Sequence, residues 1–252
     1  MDQRRSFKLD LHVHSESSYD GHEPVELILE HVAEIGLDGV VITDHDRIDG
    51  SLEAAELASS YGLVGIPGVE ISTSDGHLIA LGVEETPAKG MPLQDTIETV
   101  HGMGGVAIVP HPFQRTRHGV KKRVLHTADP DAIEAYNSML FTGYQNRRAS
   151  RYAQSYGYPT VGGSDAHYLP NVGRAYTDIR VPAGEFPEHN ADVDPVHLVN
   201  AIREGTTAVE GKRTPIHKSA RQYVIGAARK GTFEFTRRAP LIPTMPVSMT
   251  DR

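Results

Sequence analysis

Short apolar runs of strand length alternate along this chain with stretches whose apolar residues recur at helical period. The strand-like runs are FKLDLHV (7–13), GVVITD (39–44), LVGIPGVEIS (63–72), HLIALGV (77–83), GVAIVP (105–110), AIEAYN (132–137) and PTVGGSD (159–165). Between them lie PVELILEHVAEIG (24–36), GSLEAAELASSYG (50–62), PLQDTIETVHGMG (92–104) and GYQNRRASRYAQSYG (143–157), each closing on glycine as helix ends often do. In the first, the apolar positions 25, 28, 29, 32, 33 and 35 largely follow one helical stripe. Strands alternating with helices predict an α/β fold, a sheet rich in parallel strands covered by helices.

One junction breaks the alternation. VEISTSDGHLIAL has only a few turn-forming residues, DG among them, between two strand-like runs, and reads as an antiparallel hairpin. Glu70 and His77 then become neighbours at one sheet edge. After AYTDIRVP, the segment 183–195 is rich in charge and proline and is expected to form a loop. Helices near 195–204 and 217–229, joined by TTAVEG, are expected to pack outside the core. The reading is one domain over 1–235, with its core at about 7–180, a helical part at about 194–232 and a disordered tail at 236–252.

Composition narrows the chemistry. The net charge of −8 argues against wrapping nucleic acid through a broad basic surface, so an anionic ligand needs a focused site. With no cysteine, neither a disulfide-linked partner nor a thiolate metal site is available, and a transition metal must be held by imidazole and carboxylate. No window approaches a membrane span and the N-terminus MDQRRSFKLD has no apolar signal core, which favours a cytoplasmic protein without a membrane partner.

Metal-capable residues concentrate at strand ends: His12 and His14, Asp44 and His45, Glu70, His77, His111, then Asp165 and His167. Ligands bind at the carboxyl ends of strands in sheets wound with helices. A lone histidine there is usually structural, but His12 and His14, two apart on one strand, point to the same face, as side chains alternate. Six histidines and several carboxylates gathered at one rim point to a polynuclear metal site. The remaining histidines at 31, 101, 126, 189, 197 and 217 read as surface residues.

The order DLHVHS, ITDHD, GVEIS, HLIALG, PHP, GSDAH resembles the PHP family, named for polymerase and histidinol phosphatase, over about residues 7 to 180. The resemblance is closest to its short, stand-alone metal-dependent phosphoesterases. It implies a distorted seven-stranded β/α barrel with two or three divalent ions, for which nitrogen and oxygen donors suit manganese, iron or zinc. Carried onto this chain, it implies His12, His14 and Asp165 at a first metal, and Glu70 bridging to a second with His77 and His111. A third falls to Asp20, His45 and His167, with His22 as the substitute for Asp20. Asp10 and Asp44 are expected to orient imidazoles.

The implied reaction is hydrolysis of a small phosphate ester or nucleotide by a metal-bridging hydroxide, with His45 or His167 able to shuttle a proton. Arg115, Arg117 and Arg174 are candidate phosphate holders and Asn137 a candidate substrate or supporting contact. Arg147, Arg148 and Arg151 read as solvated helix charges. The alternatives are an exonuclease on short oligonucleotides and an inactive metal-binding module. The acidic balance and the lack of an aromatic stacking run favour the small ester.

Overall fold

The computed structural model describes residues 4–140, 142–182, 189–218 and 224. Its strands form two five-stranded mixed sheets flanked by helices. The first is ordered β10-β9-β1-β2-β3, from Thr207–Gly211, Ala175–Pro182, Arg4–Val13, Gly39–Ile42 and Val64–Gly65. The second runs β4-β5-β6-β7-β8, from Gly68–Ser72, His77–Leu81, Val106–Val109, Ala132–Asn137 and Thr160–Gly163. Strands β1, β2 and β3 pair in parallel, as do β6, β7 and β8, whereas β9 and β10 on one sheet and β4 and β5 on the other pair antiparallel.

Two single bridges, Val13 to Ala166 and His45 to Glu70, connect the sheets. The hydrogen-bond ladders therefore do not make one closed seven-stranded barrel. Register shifts in the β1–β2 and β7–β8 pairs bend those strands where the sheets approach.

Other expectations change with the pairing. The run 63–72 is not one strand: Pro67, which has no N–H to give a ladder, separates β3 from β4, and the two halves join different sheets. AYTDIRVP is a full strand, β9, lying antiparallel along β1. TTAVEG is not a helix linker but largely strand β10, paired from Thr207 to Ile179 through Gly211 to Ala175, so the segment expected to be helical over 194–232 contains a sheet edge. The helix expected over 217–229 lies outside the described residues except at 217, 218 and 224, and the tail at 236–252 lies wholly outside them.

Three apolar clusters hold the layers. The inner faces of both sheets, with Phe7, Leu9, Leu11, Ile79, Leu81, Ile108 and Ile179, enclose a core that α6 (Pro195–Arg203) closes with Leu198, Val199 and Ile202. Helices α1 (Val25–Glu34) and α2 (Asp49–Leu57) cover the outside of the first sheet. Helices α3 (Leu93–Gly102) and α5 (Gly143–Tyr156), with the short α4 (Lys122–Leu125), cover the second. Local chemistry sets these helix ends. Asp194 caps α6 by accepting from Val196 N–H at 2.9 Å ahead of Pro195, and α5 stops at Gly157 with φ 76°. Among the described residues no helix is long and apolar enough to cross a membrane.

Because Ile202 is fully buried between both sheets, Ile202→Ala is expected to cost about 2–5 kcal/mol in denaturant unfolding. An unchanged midpoint would show that α6 does not close the core.

Candidate metal centre

The nine residues read as metal ligands converge. Ligand atoms of His14, Asp20, His45 and His167 lie within 4.8 Å of one another, as do those of His12, His14 and Asp165, of His12, Glu70 and His111, and of His45, Glu70 and His77. All are buried except the half-buried His45. His12 and His14 do share a face, each placing Nε2 3.3 Å from Glu70 Oε2. In the β4–β5 hairpin, Ser72 pairs with His77, which brings His77 Nδ1 to 2.9 Å from Glu70 Oε1.

Backbone geometry aims these side chains. His111 and Asp165, each just beyond a strand end, have φ of 30° and 54°, which turns the chain sharply and costs conformational energy that the surroundings must offset. Gly163 lets β8 approach β1: a Cβ there would sit 2.5 Å from the His12 Cβ and 2.9 Å from Glu134 Oε1.

Asp20, not His22, stands in the cluster. Its Oδ2 lies 3.0 Å from His167 Nε2 and 3.4 Å from His45 Nε2, while the His22 ring stacks on Tyr168 with centroids 4.3 Å apart. Asp10 and Asp44 do not orient imidazoles as expected. Asp44 accepts from Ser15 N–H at 2.7 Å and Ser15 Oγ at 2.5 Å; Asp10 accepts from the backbone N–H groups of Ser164 at 2.9 Å and Gly173 at 2.8 Å. They pin the segments that follow β1 and β8, and burial pushes both carboxyls up to about 6.

The residue that does orient imidazoles was not singled out by the sequence. Glu134, buried in β7, accepts from His12 Nδ1 at 2.9 Å and from His111 N–H at 2.7 Å, and holds Asn137 Nδ2 at 3.0 Å. With Nδ1–H donated to Glu134, the lone pair of His12 Nε2 faces the cluster. The available signal was one acid inside the otherwise apolar and neutral run AIEAYN. His118 and Tyr19 were also missed: their rings lie 5.2 Å from His77 and 5.0 Å from His45.

The four candidate substrate residues separate. Asn137 is buried, sharing Nδ2 between Glu134 and Asp165, so it braces the site. Arg117 pairs with Asp165 through its guanidinium. Arg115 borders a cleft of about 340 Å3 with His77, His118, Lys121 and residues 72–76. Arg174 instead donates to Arg213 O at 2.9 Å, and nothing places it on the cluster.

Electrostatically, this is a nest of buried opposite charges. Burial pushes the Glu70 carboxyl up, yet His77, His45 and His12 hold it well below the usual carboxylate range. Asp20 is lowered in the same way by His167 and His45 against its burial. Burial works against a charged His45, but Glu70 and Asp20 raise it to about 9; burial lowers His77 to about 4 and, with His167 and His45 beside it, holds His14 well below the usual range. Metal ions fit these residues. Both nitrogens of His14, Nδ1 of His45 and Nδ1 of His111 are buried and make no hydrogen bond, and an all nitrogen-and-oxygen donor set suits divalent ions.

A family model described as the PHP domain matches residues 10–150, and one described as PHP-associated matches 143–207. An uncharacterized protein of Methanocaldococcus jannaschii is 32% identical over 152 residues, which are 56% of this chain and 88% of that protein. A phosphoribosyl 1,2-cyclic phosphate 1,2-diphosphodiesterase of Eggerthella lenta is 37% identical over 99 residues, 36% of this chain and 37% of that one. Among solved structures, a two-domain Bacteroides vulgatus protein containing a predicted PHP-like metal-dependent phosphoesterase superposes with TM-score 0.67. It shares 17% identity, over 88% of this chain and 70% of the other.

Glu134→Gln keeps the shape but removes the charge that fixes His12. It is expected to weaken metal binding by roughly 10–100-fold in calorimetric titration with the fold intact, and undiminished affinity would show that Glu134 does not support the centre.

Proposed function

Since the chain belongs to the PHP domain family, we propose that it hydrolyses phosphate esters at a metal centre built from His12, His14, Asp20, His45, Glu70, His77, His111, Asp165 and His167. The observation that carries this reading is the set of buried imidazole nitrogens left without hydrogen bonds around Glu70. His14 Nε2 and His45 Nδ1 lie 3.3 Å from Glu70 Oε2 without hydrogen-bond geometry, and His14 Nδ1 and His111 Nδ1 make no hydrogen bond; a purely structural cluster is expected to satisfy such buried atoms, since leaving them unbonded is costly. The diphosphodiesterase relative supports phosphorus chemistry on this scaffold.

His12, His14 and Asp165 would hold one divalent ion and His77 and His111 a second, with Glu70 available to both. Asp20, His45 and His167 serve a third, with His14 close enough to share it. Manganese, iron and zinc all accept this donor set. When bound, such ions polarise a phosphoryl oxygen and activate water near neutral pH. The protein's own groups do the rest. Glu134 fixes the His12 tautomer, Asp165 N–H donates to His12 O at 2.7 Å and locks β8 against β1, and His45 and His167 stand where a proton can be passed. Arg117, half-buried beside Asp165, is positioned to turn its fork from that carboxylate to a phosphate. Arg115 offers a cation at the cleft beside His77. We read the two sheets as the halves of a distorted seven-stranded barrel, a reading supported by the bridges at Val13 and His45.

Two experiments test the proposal. The purified chain, supplied with manganese, iron or zinc, is expected to hold two to three equivalents and to turn over a phosphoester such as bis(p-nitrophenyl) phosphate. A chelator removes the activity and metal restores it; fewer than two equivalents would overturn the polynuclear reading. Glu70→Gln is expected to abolish turnover while far-ultraviolet dichroism stays unchanged. Near-normal kcat in that variant would exclude the bridging role.

A further inference from the structure

The chain is acidic as a whole, but its charge is segregated. Residues 111–128 and 135–164 hold eight of its 25 lysines and arginines and none of its 33 aspartates and glutamates. Seven of the eight are exposed: Arg115, Lys121, Lys122, Arg123, Arg147, Arg148 and Arg151. None of these seven forms an ion pair among the described residues. The eighth, Arg117, is the one on Asp165.

The fold brings the two segments onto one face. A groove of about 320 Å3 is walled by Phe113, Lys122, Arg147, Arg148 and Arg151 together with tyrosines of α5. Tyr144 is 60% exposed and Tyr156 is 46% exposed, large rings presented to solvent beside arginines. Arg148 lies over the Phe113 ring at 4.4 Å, and Phe113 is two residues from His111, so the groove is tied to a residue of the metal centre. Lys121, adjacent to Lys122, borders the second cleft, which runs to His77. Asp75 lines the second cleft, its Oδ2 accepting Leu93 N–H at 3.1 Å, and Asp129 acts on the Tyr158 phenol.

Exposed rings interleaved with unpaired arginines match one kind of polyanion, since a base can stack on a tyrosine while guanidinium groups hold the phosphates between bases. We propose that the α4–α5 face is a docking track for single-stranded nucleic acid, running from Tyr144, Tyr156 and Arg147, Arg148 and Arg151 past Lys121 and Lys122 to the cleft at His77. This rests on the phosphoesterase reading only for what happens at the track's end; the binding itself does not. Tyr144, Tyr152 and Tyr156 are spaced along α5 and the fold brings Phe113 beside them, so the aromatic face has no contiguous run in the sequence.

The test is fluorescence anisotropy with a labelled single-stranded oligonucleotide of about 12 residues, a length within usual site sizes. The full-length, metal-supplied Glu70→Gln chain is used so that no cleavage occurs. Combined Arg147→Glu, Arg148→Glu and Arg151→Glu is expected to weaken binding at least roughly tenfold and to reduce the slope of log K against log salt by about 2, as each lost phosphate contact contributes ~0.7. The milder triple change to Gln, with an unchanged melting temperature, is expected to move both quantities in the same direction. Tyr144→Ala with Tyr156→Ala should weaken oligonucleotide binding and leave binding of polyglutamate unaltered. On an otherwise native chain, the arginine changes should leave hydrolysis of bis(p-nitrophenyl) phosphate within about twofold. The proposal is overturned if the oligonucleotide does not bind at low salt, if both arginine triples bind it undiminished, or if polyglutamate or anionic vesicles bind as tightly. Loss of small-ester hydrolysis with binding intact would count against the phosphoesterase reading alone.

Discussion

Glu70 is almost fully buried and has an imidazole nitrogen from each of His12, His14, His45, His77 and His111 within 3.3 Å. A carboxylate in that position is tolerable only with positive partners, because removing a charge from water costs several kcal/mol that nothing apolar can offset. The same residue joins the halves of the molecule. Its N–H reaches Asp44 O at 3.3 Å and its carbonyl accepts from Asp46 N–H at 2.9 Å, forming the bridge between the end of β2 and β4. Sheet closure and charge compensation are thus one constraint. The sheets cannot separate at this seam without exposing the cluster, and the cluster cannot lose its imidazoles without leaving Glu70 a buried, unpaired anion at the seam.

Around that point the site is layered by function. Imidazoles and carboxylates occupy the middle, Glu134 and Asn137 fix their orientation, and Asp10 and Asp44 tie down the backbone segments on which they ride. The outermost layer, Arg115, His118, Lys121 and the α5 arginines, is exposed, with Arg117 half-buried behind it. The rigidity required to hold several donors within 4.8 Å is supplied by groups that never need to touch substrate.

Much of this was legible in the chain. Strand ends advertise themselves where an apolar run meets His, Asp or Glu, and that signal gathered eight of the nine candidate ligands at one rim, whereas Asp20, with His22 as its substitute, was legible only through the family resemblance. The hidden parts have physical reasons. Glu134 supports rather than ligates, and inside a strand it carries no motif. Arg174 stands close in sequence to Asp165 and His167 but donates to Arg213 O, because the chain leaving β10 runs beside the start of β9, with Lys212 N–H donating to Arg174 O at 2.6 Å. Strand β9 was left unassigned and β10 was read as a linker because their alternation is polar enough to pass for loop, and the pairing that buries Ile179 and Val181 is long-range. The division of 63–72 follows from a single missing N–H at Pro67, which periodicity does not register.

The segment between β6 and α4 carries His111 for the metal centre, Arg117 on Asp165, Phe113 under Arg148, and Arg115 and His118 on the wall of the cleft at His77. Three of its non-glycine residues, His111, Phe113 and His118, hold positive φ. Such a loop is a poor module: its shape is constrained at one end by His111 in the buried cluster and at the other by the start of α4. A change of side chain on this fixed backbone alters the cleft wall while leaving the cluster in place. Insertions that lengthen loops elsewhere on the rim are free to remodel the entrance, whereas an insertion here would displace His111 and Arg117 from the buried cluster.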